Sequence, residues 1–366
     1  MNILYLAKLT GNPWAGTYIC VLQQIYAQSK IDNVLWLNLN HIKQKEWEKD
    51  TYIFHNLDSI KPRLDQLPVP FNHPDLVIVQ QSYNNPFSKI IADIQKKQIP
   101  YIIKPHGEYN LEAQKHHRIK KIIGNLLYFN RMIKKSMAIE YLTENEQRNS
   151  MCKGKKYVIV PNGISLPDQT CLKIPSKTIH ATFIGRLSIF HKGLDVLLNA
   201  IALIKTDLEN VGFRLNLYGP NQEGAKEVLN KLIIEKKMQQ LVSVNDGVCG
   251  NEKNAVLQAT NLFVLTSRFE GHPIALLEAL SHGIPCLVTP GTNMDKMVSK
   301  YNAGWCTEFD AVAISKSLQA IVKSVEWSEK SRNARKLASV YSWDAIAQKA
   351  HEEYEKMLKK HYSFNN

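Results

Sequence analysis

The chain has no Cys-x-x-Cys pair, and its six cysteines (Cys20, Cys152, Cys171, Cys249, Cys286 and Cys306) are scattered. Such spacing suits reduced thiols used as small apolar side chains and argues against a disulfide frame or a cysteine zinc site. The sequence contains no G-x-G-x-x-G and no G-x-x-x-x-G-K-[ST], so neither the dinucleotide fingerprint nor a P-loop is present. It also lacks His-Glu-x-x-His and Asp-x-Asp, the short-spaced sets that hold a divalent ion. Any phosphate bound here is therefore expected to be neutralised by protein groups, with neither metal nor cofactor. No apolar run reaches the ~18 residues that span a bilayer. The opening "NILYLA" is too short for a signal-peptide core and predicts a first buried strand, so the expected location is the cytoplasm. Acids are scarce, 33 against 46 Lys and Arg, and the formal charge is +13. That balance favours anionic partners: nucleic acid, phosphorylated metabolites or an anionic membrane surface.

What the chain does have is a βαβ rhythm. Apolar, β-branched runs predict strands at Asn2–Ala7, Val34–Leu37, Leu76–Gln80, Tyr101–Lys104, Ile139–Tyr141 and Val158–Pro161. "LVIVQ" and "YIIK" show no polar alternation, as strands buried on both faces do not. Helical patterns such as Thr17–Gln28 and Pro86–Lys97 lie between them, the order of a parallel sheet. The stretch "VPNGISLPDQTCLKIPSK" is rich in Pro, Ser, Asp and Lys, as domain edges are. After it the rhythm restarts, with strands at Ala181–Ile184, Leu215–Tyr218, Leu262–Leu265 and Cys286–Val288. Helices are expected near Gly193–Ile204, Glu223–Lys236, Asn251–Gln258 and Pro273–Ser281. The fold class is thus α/β: two doubly wound parallel-sheet domains, residues 1–170 and 171–340, with a ligand expected in an interdomain cleft at the strand carboxyl ends. The final helix, Trp343–Lys359, could pack on either domain.

Two segments concentrate charge at the carboxyl edge of the second sheet. "FIGRLSIFHKGLDVLLNAI", residues 183–201, reads as strand, loop and helix. Arg186 leaves the strand end, and Lys192 precedes Gly193 at a helix start, where the helix N-terminus itself favours anions. Arg supplies a planar fork and Lys a compact charge, a combination suited to a diphosphate. Read singly, they are equally two charges on a solvated loop. In "SRFEGHPIALLEALSHGIPCLVT", residues 267–289, Pro273 fits a first helical turn and Gly283 a left-handed cap. Glu270 lies in the loop and Glu278 within the helix, with Ile274, Leu277 and Leu280 expected to face the core. The backbone N–H groups near 271–276 would then lie between two acids able to accept hydrogen bonds from sugar hydroxyls. The plainer alternative makes Glu270 a helix cap and Glu278 a surface acid.

Together with "LYGPNQE", these segments resemble the GT-B glycosyltransferases of family four, the group with the Glu-x(7)-Glu motif. "VPNGI" and the closing "YSWDAIAQKAHEEYEKML" also sit where that family has similar segments. The resemblance implies two Rossmann-like domains, no metal requirement, and transfer of a hexose-type sugar from a nucleotide sugar with retention at the anomeric carbon. Carried onto this chain, it implies that Arg186 and Lys192 hold the donor diphosphate and that Glu278 binds the ribose. Glu270 would contact the transferred sugar, with the backbone of Gly271, His272, Pro273, Ile274, Ala275 and Leu276 nearby. It also implies that residues 341–366 return to the first, acceptor-side domain.

In the first half, "IIKPHGEYNLEAQ" sets His106 and Gly107 directly after a strand, with Glu108 beside them. The family often carries a His at this place, so His106 is expected to hydrogen-bond a sugar hydroxyl or relay a proton; the alternative is a ring tied to backbone. The first loop ends in Gly16 and Thr17 at a helix start, carried as substrate-binding positions. The family usually shows two adjacent glycines there, and this chain has Ala15-Gly16. "TPGTNMDKM" departs likewise from the common Gly-Gly-x-x-Glu pattern. Residues 114–137 carry seven Lys or Arg and no acid, interleaved with Ile, Leu, Tyr and Phe. A helix of this kind can lie on an anionic membrane, here the inner face of the plasma membrane, and would suit a glycan or lipid-linked acceptor in cell-surface polysaccharide assembly. It could equally pack on the first domain with its basic face solvated. The alternatives for function are another GT-B enzyme, such as an epimerase or a phosphorylase-like protein, and a basic nucleic-acid binder, for which no motif is present.

Overall fold

The computed structural model describes residues 1–9, 16–38, 54–55, 63–84, 89–115, 118–168 and 171–363. The chain divides into two compact units, Met1–Gly163 with Trp343–Asn366, and Ile164–Ser342. Linker composition places the first division at 170/171, whereas the structure places it at 163/164. The reason is local: the Ile164 N–H donates to Tyr341 O at 2.7 Å, and Ile164 bridges Ser342, so the chain after Gly163 is tied into the second unit. Gly163 itself has no room for a side chain, since a Cβ would sit 2.4 Å from the Trp343 ring.

Among the described residues the first unit has seven parallel strands: β1 (Asn2–Ala7), β2 (Asn33–Asn38), β3 (Phe54–His55), β4 (Leu76–Gln80), β5 (Tyr101–Lys104), β6 (Ala138–Tyr141) and β7 (Tyr157–Ile159). Their spatial order is β3-β2-β1-β4-β5-β6-β7. The central strands are buried on both faces, which is why their sequences run apolar without alternation. The helix Trp343–Ser363 packs against the helix Gly16–Gln28 in this unit. His351 Nδ1 lies 3.0 Å from Asp32, and the Tyr354 hydroxyl donates to Glu140 Oε2 at 2.5 Å.

The second unit carries six parallel strands: β8 (Ile179–Ile184), β9 (Phe213–Tyr218), β10 (Val242–Asn245), β11 (Leu262–Leu265), β12 (Cys286–Val288) and β13 (Gly304–Cys306). Their order is β10-β9-β8-β11-β12-β13. The winding direction therefore reverses between β8 and β11. Loops leaving these two neighbours diverge to opposite faces and open a crevice at the carboxyl edge, the usual ligand position in an open α/β sheet. In the first unit the same reversal falls between β1 and β4. The sequence did not predict β3, β10 or β13. These are short edge-side strands, and in β10 an exposed Ser243 breaks the apolar run. The six cysteines are all free thiols, with Cys20, Cys152 and Cys286 buried.

Candidate functional site at two strand-end crevices

In the second unit the site grows from the loops after β8 and β11. Residues 189–192 form a single helical turn instead of the expected loop, because the Lys192 and Gly193 amides close back onto Ser188 and Phe190 carbonyls. Gly193 then adopts φ +65° and starts the helix Leu194–Leu203; a Cβ here would lie 2.1 Å from Thr266 O, so only glycine allows β11's exit loop to approach this closely. The approach brings Lys192 Nζ within 2.5 Å of Glu270 Oε1. The same oxygen accepts from Ser267 Oγ at 2.5 Å.

Arg268 fastens this loop from behind. Its two terminal nitrogens meet Asp195 at 2.9 and 2.8 Å, and its guanidinium lies over the rings of Phe190 and Phe309. His191 stacks on Phe269, and its Nε2 reaches Phe269 O at 2.7 Å and Glu270 Oε2 at 4.0 Å. Burial, and then the Lys192 and Arg186 charges, lower the His191 pKa against the opposing pull of Glu270. Arg186 is exposed at the end of β8, and its guanidinium makes no hydrogen bond or ion pair among the described residues.

The helix Ile274–Ser281 begins at Pro273, which is its N-cap, and no side chain caps it. The alternative in which Glu270 caps this helix is thereby excluded. The first amides of the helix have no intrahelical acceptor, and the N-terminus carries the positive end of the helix dipole. Gly271 is exposed; His272 and Pro273 are buried, with the His272 ring set against Tyr341 at 5.2 Å. Leu277 and Leu280 lie in the core as expected and Leu276 joins them, whereas Ile274, also expected there, is half-buried with Ala275. Gly283 does adopt the left-handed conformation, with φ +70°. Glu278 forms an ion pair with Lys253. Lys253 is a site neighbour that sequence reasoning missed.

In the first unit His106 follows β5 at φ +49°, and Gly107 follows at φ +85°. Glu146 pins this corner: its carboxylate accepts the Gly107 N–H at 2.6 Å and the Leu142 N–H at 2.7 Å. His106 Nε2 meets Gln80 Oε1 at 2.6 Å, so its partner is a side chain and not backbone. Burial, and next the Lys104 charge, push the His106 pKa down to about 3. A neutral ring suits a hydrogen bond better than a proton relay. Glu108 accepts the Tyr83 N–H at 3.1 Å, and burial raises its pKa to about 7. Gly16 and Thr17 open the helix that follows β1, while Ala15 and the rest of its loop lie outside the described residues.

Two parallel sheets, each with its own strand-order reversal, are the architecture of the GT-B fold. Residues 178–324 match the family described as Glycosyl transferases group 1. Among curated relatives, WcaL of Escherichia coli strain K12, named for colanic acid biosynthesis, is 28% identical over 156 residues, covering 41% of this chain and 37% of that protein. A GDP-mannose:cellobiosyl-diphosphopolyprenol alpha-mannosyltransferase of Xanthomonas oryzae is 26% identical over 188 residues, covering 50% of this chain and 48% of its own. The match thus spans less than half the length of either relative. Among solved structures, Anabaena Alr3699/HepE in complex with UDP and glucose superposes with a TM-score of 0.67 at 17% identity, over 97% of this chain and 100% of that one. That likeness speaks to the fold.

Proposed function

We propose that this chain is a retaining glycosyltransferase that moves a hexose-type sugar from a nucleotide-sugar donor to a glycan or lipid-linked saccharide during cell-surface polysaccharide synthesis. The observation that carries the reading is the Lys192–Glu270 pair at the β8–β11 crevice, with the Arg186 charge acting on the adjoining His191 and an uncapped helix starting four residues after Glu270. Breaking a sugar–phosphate bond leaves negative charge on the diphosphate and positive charge on the sugar. Lys192, Arg186 and the amides around Ile274 would stabilise the first, each well-aimed donor contributing ~3–4 kcal/mol. Glu270 would hold the sugar and stabilise the second, and Glu278, oriented by Lys253, would bind the ribose. In this proposal the leaving phosphate takes the acceptor's proton in a same-face attack, and protein cations do the work that a metal does elsewhere. The relatives' names support donors of the UDP- or GDP-hexose kind and a diphosphate-lipid or polysaccharide acceptor.

A second observation favours work at a membrane surface. No helix among the described residues is long and apolar enough to cross a bilayer. Yet Ile119, Ile122, Ile123, Leu126 and Leu127, spaced along one helical face, are each 53–76% exposed. Arg118, Lys120, Arg131, Lys134 and Lys135 are exposed on the same helical stretch. An apolar stripe among cations matches the boundary of an anionic leaflet, and this is the reading we adopt for residues 114–137.

The test is a panel of UDP-, GDP- and ADP-sugars assayed for hydrolysis, transfer and product anomer, with Arg186→Ala, Lys192→Ala and Glu270→Ala alongside wild type. The expected result is transfer with retention from one donor class, lost in all three variants. Wild type that binds no nucleotide sugar, with variants indistinguishable from it, overturns the reading. An epimerised donor without transfer would select the alternative enzyme.

A further inference from the structure

Behind His106 lies a chain of buried polar groups whose donor and acceptor order is fixed from its far end. Lys104 is fully buried, pairs with Glu140 Oε1 at 2.7 Å and donates to Gln24 Oε1 at 3.0 Å. An ammonium has only donors, so Gln24 must turn its carbonyl toward Lys104. Its amide nitrogen then faces Glu140 Oε1 at 3.4 Å, and an ionised carboxylate only accepts. Both neighbours therefore demand the same orientation of Gln24. Gln24 Oε1 also takes the Gln80 Nε2 donor at 3.4 Å, which leaves Gln80 Oε1 for His106 Nε2, 2.6 Å away. A carbonyl oxygen cannot donate. The ring hydrogen must sit on His106 Nε2, and Nδ1, which makes no hydrogen bond among the described residues, keeps its lone pair.

We propose that Gln80 is a positioning residue which, through Gln24 and Lys104, locks His106 in the Nε2–H tautomer, so that Nδ1 offers an acceptor to a ligand hydroxyl. The ligand class deepens the proposed sugar-transfer reading and rests on it; the tautomer does not. Charge cannot easily reverse the arrangement. The groups around the ring are the Lys104–Glu140 pair, Glu146 acting through the Gly107 N–H, and Glu108 further along the loop, and burial with the Lys104 charge already disfavours an imidazolium. A His so fixed discriminates by hydrogen-bond sense: it accepts from a hydroxyl and gives nothing to an ether or a keto oxygen at that place. At the strand level the device needs only that β4 and β5 end side by side, since Gln80 and Lys104 are register partners.

The experiment is nitrogen NMR of ligand-free protein labelled in its histidine rings, with the His106 signals identified as those that His106→Ala removes. Between about pH 6 and 8 the wild type should show a single protonated Nε2 and a bare Nδ1 for this ring. Gln80→Leu, which removes the acceptor, should convert these signals to a mixture of tautomers. A wild-type ring protonated on Nδ1, or doubly protonated in this range, overturns the proposal, as does a Gln80→Leu spectrum identical to wild type. If Gln80→Leu fails to fold, the wild-type spectrum alone still decides. Because no donor or acceptor is present, a chain that transfers no sugar could still show the locked ring. The two readings therefore fail separately.

Discussion

Lys192 and Glu270 neutralise each other, and a double-mutant cycle measures how much that is worth. Their side chains are 12% and 9% exposed, with Nζ and Oε1 at 2.5 Å. Glu270 otherwise has the Ser267 hydroxyl and, at 4.0 Å, His191, whose imidazolium is disfavoured by burial. Lys192→Met therefore leaves a nearly buried carboxylate with one good donor and no cation. Exposed ion pairs contribute ~0.2–1 kcal/mol and breaking fully buried ones costs ~3–5 kcal/mol, so this pair should lose about 2–3 kcal/mol. Glu270→Gln should cost about 1 kcal/mol, because a carboxamide oxygen still accepts from Ser267. In the double variant the stranded charge is gone, and about 1–2 kcal/mol of the Lys192→Met loss should return. Urea unfolding of the second unit can be followed through Trp305 and Trp327, whose rings meet edge to face at 5.2 Å. If the two single losses add to within about 0.5 kcal/mol, the charges are uncoupled and the electrostatic account of the crevice is refuted.

Burial raises the Glu108 pKa to about 7, above its unfolded value, so its contribution to stability is full at low pH and is lost as pH rises through 7. Glu108→Gln should therefore stabilise the first unit at pH 8 by up to ~3 kcal/mol and change little near pH 4, whereas a pH-independent difference in urea midpoint would contradict this. Gly193→Ala meets both a left-handed backbone and Thr266 O at 2.1 Å, and should cost about 3 kcal/mol or more while abolishing nucleotide-sugar thermal shifts. Ile122→Asp with Leu126→Asp, both on the exposed stripe, should leave melting within about 0.5 kcal/mol of wild type. The same variant should lose flotation with phosphatidylglycerol vesicles, and retained flotation would remove the membrane reading.

What the sequence made legible follows from where side chains can hide. β1, β4, β5 and β11 are buried on both faces, so their apolar runs stand out; β10 is a four-residue edge strand with a half-exposed face, and no window could separate it from loop. The helix Gly250–Ala259 was visible as the expected helix near Asn251–Gln258, but Lys253 on it was not, because its partner Glu278 lies 25 residues away on another helix. Lys192 and Glu270 are 78 residues apart, yet both were visible as strand-end charges, because β8 and β11 being neighbours is what joins them. The His106 device was legible in part. "LVIVQ" and "YIIK" each close an apolar strand with one polar residue, and a buried Gln80 and Lys104 at that position must find partners or destabilise the sheet. Pattern alone shows that these two groups are satisfied somewhere. Only the register of β4 on β5, and the placing of Gln24 and Glu140 against them, shows that satisfying them also decides which nitrogen of His106 carries the proton.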